Sequence, residues 1–298
     1  MDQIATASLP HIQATLNYLA AIGKKPVTYA YQPPPGVPWS TAEADEHATI
    51  IHDLRPAASE LLLDDAGFQL LTHRSAVGNF WDEAEIRRVY YPESIDVLKR
   101  VTGASEVRVF DHTLRRRVPG ENDRSSKPGV PRQPANRVHV DQTAASGVAR
   151  LRTEYPDEAD ELLRRRVAIV NLWRPIKSPV LDAPLAVCDA RSVAPQDLIA
   201  SDLVFRDRRG ETYNLVYNPG QRWFYAPEMR MDEVLLIKCF DSRDDGAVAR
   251  FAPHTAFADP TAPQDAPPRE SIELRTFVIF GETARHIDAG PTPRLLYS

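Results

Sequence analysis

The sequence predicts a mainly β fold with a helical block ahead of it. From about residue 105 onward, short apolar runs alternate with turn signals at close spacing, which is typical of short strands. The 26 prolines and 13 glycines among 298 residues favour stiff loops around short strands over a helical bundle. Many short strands of this kind indicate a β-sandwich, a β-barrel or a jelly roll.

Composition narrows the class of protein. Hydrophobic residues make up 43% and charged residues 26% of the chain, as in a globular protein that can bury a sizeable core. We find no apolar run of about 18 residues and no signal-peptide pattern, so we expect no membrane partner. Cys188 and Cys239 are too few for a disulfide scaffold and favour the reducing cytoplasm. A net charge of −5 argues against nucleic-acid binding.

The elements of the first third follow in order. Three consecutive prolines exclude helix from part of residues 25–63, which we predict to be extended and irregular, with a short strand in "HATIIHDLRPAAS". A further strand is expected from Gly67 in "GFQLLTHRSAV". Apolar residues at helical spacing predict a helix over 82–103 that ends at Gly103. The alternation in "SEVRVFDHTLRRR" predicts the next strand.

Residues 115–137 interrupt this pattern. They are polar and rich in Pro, Gly and Ser, and we predict a mobile loop, either a lid or simply solvated. After it we expect a strand over 137–141 and an amphipathic helix over 156–166. The later segments with strand character are "VAIVNLWRPI", "APLAVCDARS", "ETYNLVYNP", "QRWFYAP", "DEVLLIKCFDS" and "ESIELRTFVIF".

The phrase "RVHVDQ" carries the first chemical signal. Residues two apart in a strand point to the same face, so His139 and Asp141 lie side by side, with Val138 and Val140 on the core side. Two histidines and one carboxylate on one octahedral face are characteristic of non-haem Fe(II) oxygenases. The third ligand would be a distant histidine. The candidates are His11, His47, His52, His73, His112, His254 and His286.

His254 is preferred because the rest of a plausible site follows it. Fifteen residues later begins "RESIELRTFVIF", in which Arg269, Ser271, Glu273 and Arg275 share one face. An inward guanidinium on such a strand suits an anionic ligand, since Arg binds carboxylates through two hydrogen bonds. Ser271 would add a hydroxyl donor.

These residues resemble the Fe(II)/2-oxoglutarate-dependent dioxygenases. "NLWRPI", "QRWFYAPEMRMDEVLLIKCFDS", "PHTAFADP" and "RESIELRTFVIF" are similar to one branch, which groups gibberellin desaturase-like proteins, fungal hydroxylase/desaturases and the cephalosporin 7α-hydroxylase component. "DLRPAASELLLDDAGFQL", "YYPES" and "TGASEVRVFDHTLRRR" extend the resemblance over roughly residues 25–285.

The resemblance implies a double-stranded β-helix core, that is, a jelly-roll, cupin-like fold. It implies one oxygenase domain over 1–298, with a mixed α/β part at 1–104 packed on a jelly-roll core at 105–285. His139, Asp141 and His254 would bind iron, and Arg269 with Ser271 the distal carboxylate of 2-oxoglutarate. The fifteen-residue spacing departs from the commonest pattern and leaves Arg275 as a rival anchor.

Further residues are candidates for the pocket. Asn171 is a candidate for the co-substrate site, and the candidates for substrate contact are Gln142, Trp173, Tyr217 and Trp223. Large aromatic residues on alternating strands are more often part of the packing.

The resemblance implies that a small molecule of specialised metabolism is hydroxylated or desaturated while 2-oxoglutarate and O₂ become succinate and CO₂. One alternative is an iron enzyme of the same fold that does not consume 2-oxoglutarate. The other is a non-catalytic jelly-roll protein that binds a small molecule, with 115–137 as an interaction loop. The sequence gives no indication of the oligomeric state.

Overall fold

The computed structural model describes residues 6–21, 23–118, 120, 131–177 and 179–281. Its strands are β1 (His11–Leu19), β2 (Val27–Tyr29), β3 (Ala44–Asp53), β4 (Phe68–Thr72), β5 (Glu106–Arg116), β6 (His139–Val140), β7 (Val167–Pro175), β8 (Leu185–Cys188), β9 (Leu198–Val204), β10 (Arg209–Leu215), β11 (Trp223–Tyr225), β12 (Glu233–Asp241), β13 (His254–Ala256) and β14 (Glu270–Ile279).

The helices are short. They are α1 (Glu83–Glu85), α2 (Tyr91–Thr102), α3 (Ala144–Glu154) and α4 (Ala159–Leu162), with a π-helical turn (Ile86–Tyr90) between α1 and α2. Single 3₁₀ turns lie at Thr6–Ser8, Arg55–Ala57, Ala190–Ser192 and Pro195–Asp197. Among the described residues, no helix is long and apolar enough to cross a membrane.

The strands form two sheets. The larger has nine strands in the order β1-β3-β11-β8-β13-β6-β10-β9-β2, and the smaller has five in the order β4-β12-β7-β14-β5. Apolar residues of both sheets, such as Val140, Val187, Ile169 and Phe277, belong to one buried cluster. The prediction of a mainly β fold with flanking helices and a jelly-roll core is confirmed.

The five-stranded sheet is buried on both faces. All nine residues of β7 are buried, and their side chains alternate between two apolar clusters. Val167, Ile169 and Trp173 belong to the cluster shared with the larger sheet, whereas Val170 and Leu172 belong to a second cluster with the helical block. This explains why "VAIVNLW" is a continuous apolar run and not an alternating one.

The helical block lies where the sequence predicts it. Asp82 caps its start by accepting hydrogen bonds from the backbone N–H groups of Ala84 and Glu85. Gly103 ends α2 with φ 68°, a left-handed conformation that favours glycine. Ile86, Tyr90 and Leu98 are fully buried and pack this block on the outer face of the five-stranded sheet.

Four strands are absent from the sequence prediction: β1, β2, β9 and the three-residue β13. β1 pairs with β3 along its whole length, and β2 and β9 pair with each other at the opposite edge of the nine-stranded sheet. The segment 25–63, predicted to be irregular, therefore contains β2 and the ten-residue β3. The strand predicted over 137–141 is only two residues long, His139–Val140, and Asp141 lies just beyond it.

The helix predicted over 156–166 is wrong for most of its length. Only Ala159–Leu162 is helical, because Arg165 donates a hydrogen bond to the Phe280 carbonyl and Arg166 binds Asp241, which draws both residues to the sheet edge. The longer helix α3 precedes this segment and begins at Ala144. Thr143 caps it through a reciprocal pair of hydrogen bonds with Ser146.

The loop predicted over 115–137 is shorter than expected. Arg115 and Arg116 are the last residues of β5, and Arg132 returns to bridge Arg115. Gln133 is buried and accepts a hydrogen bond from the Val118 backbone N–H. The remaining part of the predicted mobile loop, residues 119 and 121–130, lies outside the described residues.

Gly147 lets α3 approach the sheet. A Cβ atom at this position would lie 2.5 Å from the ring of Phe240, which is 2% exposed. We expect Gly147→Ala to lower the free energy of unfolding by about 1–3 kcal/mol through overpacking, partly offset by about 1 kcal/mol of helix propensity. Urea unfolding measures this. Gly281→Ala, with open space at its Cβ, is the control and should change stability by less than about 0.5 kcal/mol; an equal effect would contradict the packing argument.

Candidate active site

Two neighbouring strands of the nine-stranded sheet bring His139 and His254 together. β6 and β13 are antiparallel partners, and His139 lies directly opposite His254. Asp141 follows two residues after His139, at the bend before α3. The alternation in "VHVD" is thus realised, with Val138 and Val140 fully buried.

The three side chains converge on one point. One potential ligand atom from each of His139, Asp141 and His254 lies within 4.8 Å of the others. Asp141 Oδ1 is 3.3 Å from His139 Nε2 and 3.8 Å from His254 Nε2. This is the donor set expected for a two-histidine, one-carboxylate metal centre.

The imidazoles are held in the tautomer that a metal requires. His139 Nδ1 lies 2.7 Å from the Arg137 carbonyl oxygen, and His254 Nδ1 lies 3.0 Å from that of Ala252. Because a carbonyl only accepts, each Nδ1–H donates, which directs each Nε2 toward Asp141 and leaves Nε2 as the atom available to a metal. The residues present therefore fit a divalent metal ion.

The charges of the centre support the same interpretation. Burial opposes ionisation of Asp141, but the charge of Arg275 and the hydrogen bond with His139 hold the pKa of this carboxyl well below its usual range. Burial and the neighbouring His139 lower the pKa of His254. Burial disfavours the charged form of His139 too, yet Asp141 raises the pKa of that imidazole overall. The carboxylate attracts a cation.

A narrow cavity adjoins the two histidines. Its lining residues are Arg115, Ala135, His139, Trp173, Leu185, His254, Arg269 and Glu273. Sequence reasoning missed Arg115 here, because the residue was counted as part of a solvated loop. Its position opposite Ser271 in the β5–β14 ladder is fixed only by strand register.

Arg269 is a buried cation with little compensation. It is 3% exposed, it donates a hydrogen bond to the Ala183 carbonyl, and its Nε has no hydrogen-bond partner within the described part of the chain. Among the described residues, no carboxylate lies within ion-pair distance of it. Burial and the charge of Arg115 lower the pKa of Arg269 to about 9. The buried Ser271 Oγ is also without a partner. Such groups are costly unless a ligand satisfies them.

Arg275 has different surroundings. It donates to Asp141 Oδ2 at 3.0 Å through Nε and to Glu273 Oε2 at 2.6 Å through Nη2, and it also donates to Thr113 Oγ1. Asn171 Nδ2 donates to the same Asp141 oxygen at 2.9 Å and to Glu273 at 3.0 Å. The side chains of Arg275 and Asn171 therefore already donate hydrogen bonds to both Asp141 and Glu273.

Comparison with known proteins bears on this centre. A family model described as "Oxidoreductase/YMDC permease-like domain" matches residues 16–279. The hydroxylase/desaturase efuI of Hormonema carpetanum is 33% identical over 300 residues, covering 94% of this chain and 99% of the relative. The Fe(II)/2-oxoglutarate-dependent dioxygenase nvfI of Aspergillus novofumigatus is 33% identical over 269 residues, covering 87% and 92%. The structure of the iron and alpha-ketoglutarate-dependent endoperoxidase NvfI matches with a TM-score of 0.81 at 29% identity, covering 91% of this chain and 98% of that one.

The chain belongs to the Fe(II)/2-oxoglutarate-dependent dioxygenases. It is an oxidoreductase of the hydroxylase/desaturase branch, and the predicted use of Fe(II), 2-oxoglutarate and O₂ is confirmed for the family. Enzymes of this family act on small molecules. The two alternatives, an iron enzyme that does not consume 2-oxoglutarate and a non-catalytic binding protein, are therefore set aside.

A wide cleft of about 1060 Å³ opens onto the dioxygenase's Asp141 and Arg275. Strand β5, helix α3 and the β9–β10 hairpin form its walls. Its lining combines aromatic side chains, Phe110 and Phe205 among them, with charged ones. Phe110 is an extra residue in β5 between the partners of Arg275 and Thr276, and such a bulge redirects side chains beside a site.

The structure separates the remaining predicted pocket residues of the dioxygenase. Gln142 lines the cleft, and Trp173 lines the narrow cavity, with the Arg269 guanidinium 5.3 Å from its ring. Tyr217 is stacked on His47 at 3.8 Å, and Trp223 is fully buried against Tyr18. Neither Tyr217 nor Trp223 lines the cleft or the cavity. Trp223 is on β11, which β8 and β13 separate from β6, and Tyr217 lies beyond the end of β10.

We expect His139→Ala, Asp141→Ala and His254→Ala each to weaken Fe(II) binding by at least about tenfold, because each removes one converging donor. Anaerobic Fe(II) titration, with circular dichroism to confirm the fold, measures this. His11→Ala, which alters an exposed imidazole of β1, is the matched control. Unchanged Fe(II) affinity in any of the three variants would remove that residue from the ligand set.

Proposed function

We propose that His139 Nε2, Asp141 Oδ1 and His254 Nε2 hold the Fe(II) of this dioxygenase, and that Arg269 and Ser271 bind the distal carboxylate of 2-oxoglutarate. The small-molecule substrate lies in the wide cleft and is hydroxylated or desaturated there. The observation that carries this proposal is the partly unsatisfied guanidinium of Arg269, which is buried in the same narrow cavity as two of the ligands.

Electrostatics favours Arg269 over Arg275 as the anchor of the co-substrate. A guanidinium away from water and without a carboxylate is destabilising until an anion arrives. Arg275, the rival, already faces Asp141 and Glu273, and these charges, against the effect of burial, raise its pKa. A dicarboxylate therefore gains more at Arg269, where its distal carboxylate also meets the free Ser271 hydroxyl.

When bound, Fe(II) with 2-oxoglutarate and O₂ supplies a two-electron oxidant for a substrate C–H bond, as 2-oxoglutarate is split into succinate and CO₂. This chain's own residues do the rest. His139, Asp141 and His254 would hold the metal ion, and these residues line the cavity and the cleft. Arg269 and Ser271 orient the co-substrate. Trp173 covers the Arg269 guanidinium and keeps water from this end of the cavity.

The cleft suits an amphipathic molecule. Phe110 and Phe205 offer apolar contacts, while Gln142, beside the metal ligand Asp141, offers an amide for orientation. The position of the substrate C–H bond relative to the metal would decide whether the product is hydroxylated or desaturated. Hydroxylation adds one oxygen atom to the substrate, and desaturation removes two hydrogen atoms and forms water.

The proposal also includes the domain organisation and the cellular location of the protein. A single oxygenase domain over 1–298, with 1–104 packed on the 105–285 core, is supported by the pairing of β3 with β11 and of β4 with β12. A cytoplasmic location is supported by two cysteines that are both free and buried.

Arg269→Leu should raise the apparent KM for 2-oxoglutarate by roughly 30- to 150-fold, since a lost charge-assisted bidentate contact costs about 2–3 kcal/mol. Fe(II) affinity should stay unchanged. The matched control is Arg230→Leu, an exposed arginine paired only with Asp232. An unchanged KM in Arg269→Leu would remove this residue from the co-substrate site.

Turnover should release one succinate for each oxidised substrate molecule. The test incubates the Fe(II)-loaded enzyme, 2-oxoglutarate and a small-molecule library under air, and then compares succinate with product by mass spectrometry. His254→Ala is the control for uncatalysed decarboxylation. Oxidised product without succinate would contradict the proposed reaction.

A further inference from the structure

We propose that Arg275 and Asn171 form a clamp on Asp141 Oδ2 that restricts Asp141 to a single metal-binding oxygen, Oδ1, and that Glu273 holds the clamp in place. This inference rests on the proposed metal centre and assigns a positioning role to residues that touch neither metal nor co-substrate.

The two oxygens of Asp141 face different partners. Oδ1 is turned toward the Nε2 atoms of His139 and His254. Oδ2 accepts hydrogen bonds from Asn171 Nδ2 at 2.9 Å and from Arg275 Nε at 3.0 Å. A metal bound through both oxygens would compete with both contacts, each of which is a hydrogen bond to an ionised carboxylate.

The clamp comes from the opposite sheet. Asn171 on β7 and Arg275 on β14 are direct partners in the five-stranded sheet, whereas Asp141 follows β6 of the nine-stranded sheet. Since Asp141 lies at a bend beyond a two-residue strand, its own backbone is weakly anchored by the sheet. Contacts from the facing sheet supply the missing restraint.

Glu273 fixes the two clamp residues. It lies two positions before Arg275 on the same face of β14, and it accepts from Asn171 at 3.0 Å and from Arg275 at 2.6 Å. It is 5% exposed, and it also lines the narrow cavity. A buried carboxylate in a cavity that receives a dicarboxylate is repulsive unless neutralised, and Arg275 provides the countercharge.

The consequence is a centre with three protein ligand atoms and no more. An additional Asp141 oxygen would take a coordination position that the co-substrate or O₂ needs. The clamp thus preserves the open positions and fixes the direction in which Oδ1 points. Orientation by outer partners of this kind typically changes metal affinity or activity by about 10- to 100-fold when removed.

The test is a Co(II) titration calorimetry series. Asn171→Leu and Arg275→Met should each weaken Co(II) binding by about 10- to 100-fold. Arg275→Lys keeps the charge beside Glu273 but lacks the planar guanidinium, whose separate nitrogens donate to Asp141 and to Glu273. This variant should fold and yet bind Co(II) more weakly than the wild type. The visible spectrum of bound Co(II) should change in all three variants, because the coordination of Asp141 changes.

The matched control is Arg174→Met. Arg174 is a fully buried arginine of β7, and it contacts His73 and Tyr90 on the other face of the sheet. This variant should be destabilised, yet its folded form should bind Co(II) as the wild type does. Weaker Co(II) binding in Arg174→Met would show that general loosening of the sheet explains the effect, and would overturn the clamp.

Repeating the substitutions in the Asp141→Ala variant tests whether their effect on Co(II) binding acts through Asp141. In Asp141→Ala, the two histidines still bind Co(II), and adding Asn171→Leu or Arg275→Lys should change that affinity by less than about twofold. Unchanged or tighter Co(II) binding in the folded single variants would overturn the clamp. So would an equal loss in the Asp141→Ala background. If instead the proposed metal centre itself is wrong, wild-type Co(II) binding will not respond to His139→Ala.

Discussion

The carboxylate of Asp141 connects the two sheets of this dioxygenase. One oxygen faces the histidines of the nine-stranded sheet, and the other is held by Asn171 and Arg275 of the five-stranded sheet. Both oxygens of Asp141 reach their partners only if three features are correct together. These are the distance between the sheets, the register of β7 with β14 and the bend after β6. A buried charge tolerates no other arrangement at low cost.

Arg269, just before β14, and Arg275, on β14, are subject to the same electrostatics but have different roles. Arg275 is neutralised by its own chain, so it stabilises the folded centre before any ligand binds. Arg269 is left partly unsatisfied, and in the proposed co-substrate site the distal carboxylate of 2-oxoglutarate would compensate its burial. We therefore expect Arg269 to contribute to the binding of an anion and Arg275 to keep the folded site rigid.

The sequence predicted the parts of the site that depend on strand periodicity. His139 with Asp141, and Arg269 with Ser271, follow from the two-residue repeat, and the helix ending at Gly103 follows from apolar spacing and a glycine stop.

Other features depend on contacts that a sequence does not display. The Phe110 bulge in β5 arises from pairing with β14, and the position of Arg115 in the cavity depends on the same register. Helix α3 was not predicted, although the Thr143–Ser146 capping box at its start is a local sequence pattern that indicates a helix. Tyr217 and Trp223 shared the aromatic character of pocket residues, but strand order placed them away from both the cleft and the cavity.

The most direct test of the account is an anaerobic crystal structure with Mn(II) and 2-oxoglutarate bound. The account predicts anomalous density for one metal ion between His139 Nε2, Asp141 Oδ1 and His254 Nε2, with Asp141 Oδ2 still on Arg275 and Asn171. It also predicts the distal carboxylate of 2-oxoglutarate on Arg269 and Ser271. Metal bound by other residues, or a 2-oxoglutarate carboxylate paired with Arg275, would contradict it.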